Sequence, residues 1–147
     1  MGLFDAIGIA GSGLTADRIR MDVTAENLAN ADTTKAANGL PYKRQEVELA
    51  QVGASNFGGA LSNAIQGGGA QPGGVQVTDI VADGTPGQQV YDPGNPEANA
   101  QGYVTMPNVS TVTEMTDLIA ESQAYQSDVT AMQTAKSMFS STLGLLK

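Results

Sequence analysis

Apolar residues recur on a seven-residue period at both ends of this 147-residue chain. Toward the C-terminus, one row alternates at spacings of four and three residues: Met115, Leu118, Ser122, Tyr125, Val129, Met132, Lys136, Phe139, Leu143 and Leu146. Eight of these ten residues are apolar, which is the a/d pattern of a coiled-coil helix. The spacing predicts a long helix from Thr111 to Leu146, with Thr111 and Glu114 as its capping box. Ile119 and Met138 widen the stripe, so the helix can contact more than one neighbour.

The N-terminal end carries the same period in a row of four apolar residues, Ile7, Leu14, Met21 and Leu28. Three glycines within residues 8–13 each cost about 1 kcal/mol relative to alanine in a helix. We therefore predict a firm helix from about Leu14 to Ala29, preceded by a loose turn or kink. A helix of this kind is not stable alone in water, so it needs the C-terminal helix or a neighbouring subunit. We expect both terminal helices to be largely disordered until assembly orders them.

The middle of the chain is a separate structural zone, because all six prolines lie between Pro41 and Pro107. Runs of alternating or β-branched residues predict three or four short strands, at residues 43–49, 75–81, 88–91 and 103–106. Residues 53–74 contain eight glycines, which predicts a mobile loop. Within that loop, Phe57, Leu61 and Ile65 have the spacing of one helical turn, which is the alternative interpretation.

These patterns predict the α+β fold class, with paired, coiled-coil-like N- and C-terminal helices and a small β-rich insertion between them. The expected organisation has three parts. Residues 1–35 hold the N-terminal helix, residues 36–108 the insertion with its glycine-rich loop at 53–74, and residues 109–147 the C-terminal helix.

Composition excludes several classes of function. The net charge of −8 and a pI near 4.2 argue against nucleic acid and anionic membranes as partners. The chain has no cysteine and no histidine, so disulfides, thiolate chemistry, a Ser-His-Asp triad and most zinc sites are excluded. No apolar run reaches the ~18 residues that a membrane span requires. The first residues lack the pattern of a cleaved signal peptide, so any export is expected to use another route.

No candidate site in the sequence supports catalysis or a cofactor. Residues 8–13 faintly resemble a phosphate-binding loop, but no strand precedes them and the P-loop lysine is missing. Four oxygen-bearing residues could bind calcium, although their spacing is not that of an EF-hand and a solvated turn is favoured: Asp92, Asn95, Glu97 and Asn99. The carboxylate pairs Glu46 with Glu48 and Asp79 with Asp83 lack a nearby cleft or aromatic platform. We therefore expect no enzyme, cofactor or metal.

Several stretches of the sequence resemble the bacterial flagellar rod and hook axial proteins. Residues 14–34, LTADRIRMDVTAENLANADTT, resemble the N-terminal signature of that family. Residues 90–98, VYDPGNPEA, and 102–109, GYVTMPNV, resemble the block typical of its proximal-rod members, as does PYKRQEV at 41–47. Glu26 departs from a more usual Asn, and Ser127-Asp128 replaces a common Ala-Asn-like pair. The motif residues are Asn27, Asn30, Tyr42, Tyr91, Asp92, Pro93, Gly94, Pro96, Gly102, Tyr103, Met106, Pro107 and Asn108.

The resemblance implies a structural subunit of the proximal rod, the periplasmic drive shaft of the flagellum. It implies export through the flagellar type III apparatus without a cleaved signal peptide, and packing of the terminal helices around a central channel. The expected partners are other rod proteins, further copies of the chain, the basal-body adaptor protein, the basal ring and the export apparatus. The apolar residues of the two helical rows are then the assembly interface. Two alternatives remain open: a different axial protein of the rod or hook type, and a soluble helical adaptor whose helices close on each other.

Overall fold

Within the described residues, two long helices flank four short strands in the chain order. The computed structural model describes residues 3–36, 38–52, 65 and 73–144. The helices are α1, Leu3–Ala29, and α2, Thr111–Gly144. The strands are β1, Gln45–Gln51; β2, Val75–Ala82; β3, Gln89–Tyr91; and β4, Tyr103–Thr105. The predicted α+β class is confirmed. The predictions for Phe57, Leu61 and Leu146 lie outside the described residues.

The four strands form two separate two-stranded sheets, β1 with β2 and β3 with β4. Strands β3 and β4 are antiparallel and bring Tyr91 opposite Tyr103. In the other sheet, the amide of Val52 donates to the carbonyl of Gly74, and the amide of Asp83 donates to the carbonyl of Arg44, each at 2.8 Å. These pairs make β1 and β2 antiparallel as well. A two-stranded sheet is marginal alone in water, so each depends on the rest of the chain.

The chain divides into two compact units, and each terminal helix contributes to both. Unit 1 comprises Met1–Arg18, Glu48–Thr78 and Gln123–Lys147. Unit 2 comprises Ile19–Val47 and Asp79–Ser122. Within the described residues, neither helix combines the length and apolarity needed to cross a bilayer.

The predicted start of the N-terminal helix is wrong, because α1 runs without a break from Leu3 through all three of its glycines. Two of those glycines lie against α2 within unit 1. A Cβ at Gly11 would lie 3.7 Å from Cε of Met132, and a Cβ at Gly13 would overlap Oδ2 of Asp128. Glycine therefore lets α2 approach α1 closely at these positions. The contact offsets the poor intrinsic helix propensity on which the prediction was based.

The predicted capping box at the start of α2 is also wrong. Ser110 precedes the helix, and its carbonyl accepts from the amide of Glu114 at 2.9 Å. Its hydroxyl oxygen accepts from the amide of Thr113 at 3.4 Å, which is the arrangement of an N-cap. The Glu114 side chain does not reach back to Thr111, because it is buried in contacts with other segments of unit 2.

Nearly half of the buried side chains among the described residues are polar or charged. The apolar set is Ala16, Val23, Ala31, Val104 and Pro107, and the polar set is Thr24, Asn27, Glu114 and Glu121. All four buried polar residues belong to unit 2. Polar groups are costly to bury unless they are hydrogen-bonded, so the stability of this unit depends on the hydrogen-bond partners of these four side chains.

Two glycine substitutions are expected to change stability in opposite directions. Gly8 is exposed in α1, and a Cβ there meets no described atom within 4 Å. Gly8→Ala should therefore raise the free energy of unfolding by about 0.5–1 kcal/mol. Gly102 has a φ of +80°, and a Cβ there would lie 2.8 Å from Cε2 of Tyr91. Gly102→Ala should therefore lower the free energy of unfolding by about 1–3 kcal/mol. Urea denaturation of the full chain measures both, and shifts of the same sign would contradict this account.

Candidate functional site

Asn27, near the end of α1, is 1% exposed and uses its full hydrogen-bonding capacity within unit 2. Its Nδ2 donates to the carbonyl of Gln45 at 2.9 Å and to Oε2 of Glu114 at 3.1 Å. Its Oδ1 accepts from the amide of Gln45 at 2.8 Å and from the hydroxyl of Tyr42 at 3.0 Å. One side chain thereby joins α1, the first residue of β1 and α2.

The carboxylate of Glu114 is held by a guanidinium as well as by Asn27. Nε of Arg44 donates to Oε1 of Glu114 at 2.5 Å. The same guanidinium pairs with Glu46, and its Nη2 lies 3.7 Å from Oδ2 of Asp117. The hydrogen bond to Glu114 raises the pKa of Arg44 above its already high value, against the opposing effect of desolvation. The guanidinium therefore keeps its charge beside a carboxylate that is only 1% exposed.

A second buried carboxylate, Glu121, follows Glu114 by seven residues and so lies on the same face of α2. Its Oε1 accepts from the hydroxyl of Thr24 at 3.4 Å and lies 3.4 Å from Nη2 of Arg20. Arg20 and Thr24 are four residues apart and share one face of α1. We call the whole set the polar lock, defined as Arg20, Thr24, Asn27, Tyr42, Arg44, Glu114 and Glu121, all within unit 2.

Tyr42 makes the polar lock sensitive to alkaline pH. Burial raises the pKa of Tyr42 above its usual value of 10.0, and the charges of Glu26 and Glu114 raise it further. A group whose pKa is higher in the folded state contributes stability that is lost as pH rises through that pKa. The free energy of unfolding should therefore fall above about pH 10. Urea denaturation at pH 8 and pH 11 measures the fall, and Tyr42→Phe should make it smaller. An equal fall in that variant would contradict the role of Tyr42.

Several motif residues converge on the polar lock or on the end of α1. Asn27 and Tyr42 are members of the lock. Asn108, which lies just before α2, accepts from the backbone amide of Arg44 at 2.8 Å. Asn30 donates from Nδ2 to the carbonyl of Glu26 at 3.0 Å, at the C-terminal end of α1. These positions of the motif therefore serve the packing of unit 2.

The other motif residues build the β3–β4 hairpin and its flanks. The rings of Tyr91 and Tyr103 meet edge to face, with centroids 5.3 Å apart. Gly94 donates its amide to Oδ1 of Asp92 at 3.2 Å. Met106 donates its amide to the carbonyl of Gln88 at 2.8 Å. Of the remaining members, Pro107 is buried, Gly102 half-buried, and Pro93 and Pro96 exposed.

The residues considered for calcium serve the turn between β3 and β4. The side-chain oxygens of Asp92, Asn95 and Asn99 each accept from a backbone amide two residues later. The fourth candidate, Glu97, accepts a hydrogen bond from the hydroxyl of Thr34. Over the part of the chain that the structure describes, no three acidic, histidine or cysteine side chains are grouped to hold a metal ion. The hydrogen bonds from backbone amides to Asp92, Asn95 and Asn99 are typical of Asx turns.

The predicted interface residues differ in how far they are exposed. Met115 is 53% exposed, and Leu143 is also exposed. The other described members are half-buried: Ile7, Leu14, Met21 and Leu28 on α1, and Leu118, Tyr125, Val129, Met132 and Phe139 on α2. Met115 is flanked by Val112 and Ile119, which are 74% and 61% exposed. We call these three residues the outer stripe. At its start, α2 thus buries carboxylates and exposes apolar side chains.

Sequence reasoning missed five members of the polar lock, namely Arg20, Thr24, Arg44, Glu114 and Glu121. Of these five residues, only Glu114 was given a role from sequence, as a capping residue. One signal was available, because Glu114, Glu121 and Asp128 are spaced by seven residues. That acidic row lies one position before the apolar row and has the same period.

Comparison with known proteins shows which family this chain resembles. Residues 7–36 match the family model described as flagella basal body rod protein. Residues 100–145 match the model described as flagellar basal body rod FlgEFG protein C-terminal. The chain is 42% identical over 151 residues to the flagellar basal-body rod protein FlgC of Bacillus subtilis, with both chains fully covered. It is 43% identical over 145 residues to the protein of the same name from Escherichia coli O6:H1, covering 99% of this chain and 98% of that one. The counterpart from Borreliella burgdorferi is 39% identical over 153 residues, covering 100% of this chain and 99% of that one.

Proposed function

The chain belongs to the FlgC family of flagellar basal-body rod proteins, and from this premise we propose that it builds the proximal, periplasmic part of the rod through its terminal helices. Membership of that family makes the chain a structural subunit of the basal body rather than an enzyme. The proposal concerns which surfaces make the rod and where in the cell the rod lies.

The observation that carries the proposal is the outer stripe on α2. Val112, Met115 and Ile119 follow one another at spacings of three and four residues, so they form one continuous apolar surface. Single exposed apolar side chains are common, but a contiguous row of large ones marks an interaction surface. In a rod subunit, that surface would be covered by the helices of neighbouring subunits.

The proposed neighbours are further copies of the chain, other rod proteins, the basal-body adaptor protein and the basal ring. The proposed route is the flagellar type III export apparatus, without a cleaved signal peptide. Passage through such an apparatus requires a chain that unfolds readily. The absence of cysteine, the two-stranded sheets and the small number of apolar side chains that are buried among the described residues support this route.

Electron microscopy of basal bodies from a strain of the source bacterium that lacks this gene tests the proposal. We expect basal rings without a rod, hook or filament, and full flagella after rescue with the wild-type gene. Normal flagella in the strain without the gene would contradict the proposed role.

A further inference from the structure

We propose that the polar lock determines which helix α2 pairs with, and in which register, so that α2 closes on its own α1 and leaves the outer stripe for other subunits. This inference goes beyond the role in the rod, since it concerns how a single chain selects its internal contact before assembly. It rests on the hydrogen bonds and ion pairs within unit 2.

The inner face of α2 is selective because it carries carboxylates. A purely apolar helix face tolerates sliding and a change of partner, whereas a polar residue in a helix seam fixes register and partner. A buried carboxylate is costly unless donors stand at the right positions. Glu114 and Glu121 therefore accept only a partner that offers donors to both.

The donors on α1 satisfy that condition in one antiparallel register. Glu114 meets Asn27, and Glu121 meets Arg20 and Thr24. A slip of seven residues in one direction would bring Glu114 opposite position 34, beyond Ala29, where α1 ends. A slip in the other direction would bring Glu121 opposite Gly13, which has no side chain. Either heptad slip would leave one carboxylate without its donors on α1.

The segment that follows α1 makes the chain's own α1 the favoured partner. Asn27 forms hydrogen bonds with both the amide and the carbonyl of Gln45, and the neighbouring Arg44 donates a hydrogen bond to Glu114. Asn108, just before α2, holds the backbone of Arg44. The start of α2 is thereby tied to the same residues that complete the lock. Because the two helices belong to one chain, their effective concentration exceeds that of a second copy in dilute solution.

Replacing one ion pair of the lock by apolar side chains tests the inference. The variant Arg20→Met/Glu121→Met keeps long side chains at both positions but removes both charges. We expect it to stay helical by circular dichroism while its selectivity is lost. Sedimentation velocity of the isolated full chain should then give an average mass about twice that of wild type at the same concentration, as pairing of two copies requires. A mass equal to that of wild type over the same concentrations would overturn the inference.

Gln126→Met provides the matched control, because Gln126 is exposed on α2 outside the lock. It adds an apolar side chain without changing the lock, so its mass should equal that of wild type. An increase as large as that of the double variant would show that added apolar surface, and not loss of the lock, causes the association. That result would also overturn the inference.

A charge exchange tests the same pair if the apolar variant does not fold. Arg20→Glu and Glu121→Arg each place like charges together and should lower the thermal midpoint or increase the average mass. The double exchange should restore both properties, since the hydroxyl of Thr24 can accept from a guanidinium as well as donate to a carboxylate. A double exchange as impaired as the single variants would overturn the inference. These measurements use the isolated chain, so their failure would leave the proposed role in the rod unaffected.

Discussion

Replacing Asn27 by alanine is expected to lower the free energy of unfolding by about 3–5 kcal/mol. The substitution removes four hydrogen bonds at a fully buried side chain. It leaves the amide and carbonyl of Gln45 without their side-chain partner and takes one donor from the carboxylate of Glu114. The carboxylate of Glu114 is only 1% exposed, so it does not regain a solvent partner at low cost.

Urea denaturation followed by circular dichroism measures this loss, and Asn30→Ala provides the matched control. Asn30 belongs to the same motif but donates to a carbonyl within one helical turn at an exposed site. Its replacement should cost about 1 kcal/mol or less. Similar losses in the two variants would mean that the polar lock does not hold unit 2 together.

Met115→Asp is expected to abolish rod assembly while leaving the isolated chain folded. Met115 is exposed in the outer stripe, so the change should alter the free energy of unfolding by no more than about 0.5 kcal/mol. In an assembled rod, however, the new carboxylate would be buried against a neighbouring subunit without a partner, which costs several kcal/mol. Complementation of a strain lacking the gene should then give no motility and no rods by electron microscopy.

Met115→Leu keeps an apolar side chain of similar size at the same position and should restore motility and rods. Normal rods with Met115→Asp would show that the outer stripe is not covered on assembly. Loss of assembly with both variants would point to a local steric requirement rather than to burial of an apolar surface.

The elements of this fold could be predicted from sequence because their patterns are local. The seven-residue periods predicted α1 and α2, and runs of alternating residues predicted the four strands to within two residues at each boundary. The start of α1 was missed because glycine propensity describes an isolated helix. Gly11 and Gly13 instead lie against Met132 and Asp128 of α2. That contact is tertiary, and no local pattern contains it.

The polar lock could not be predicted because its partners are distant in sequence. Asn27 and Glu114 are 87 residues apart, and Arg44 and Glu114 are 70 apart. A glutamate on a helix is usually solvated, so pattern reasoning assigns Glu114 and Glu121 to the outside. The structure buries both carboxylates. The resemblance drew attention to Asn27, Tyr42 and Asn108, but only the geometry gives them a physical role.

The polar lock also bears on whether the terminal helices are ordered before assembly. Marginal helix stability predicts that both terminal helices are largely disordered until the rod forms. Because the bonds of the polar lock lie within one chain, we expect the parts of α1 and α2 in unit 2 to be ordered before assembly.

Amide hydrogen exchange of the dilute, isolated full chain tests most directly whether the polar lock closes α1 on α2 within a single subunit. We expect protected amides in residues 19–29 and 114–122 of the wild type, and loss of that protection in Asn27→Ala. Exchange at unprotected rates throughout both segments of the wild type would contradict it. The two helices would then meet only when subunits assemble.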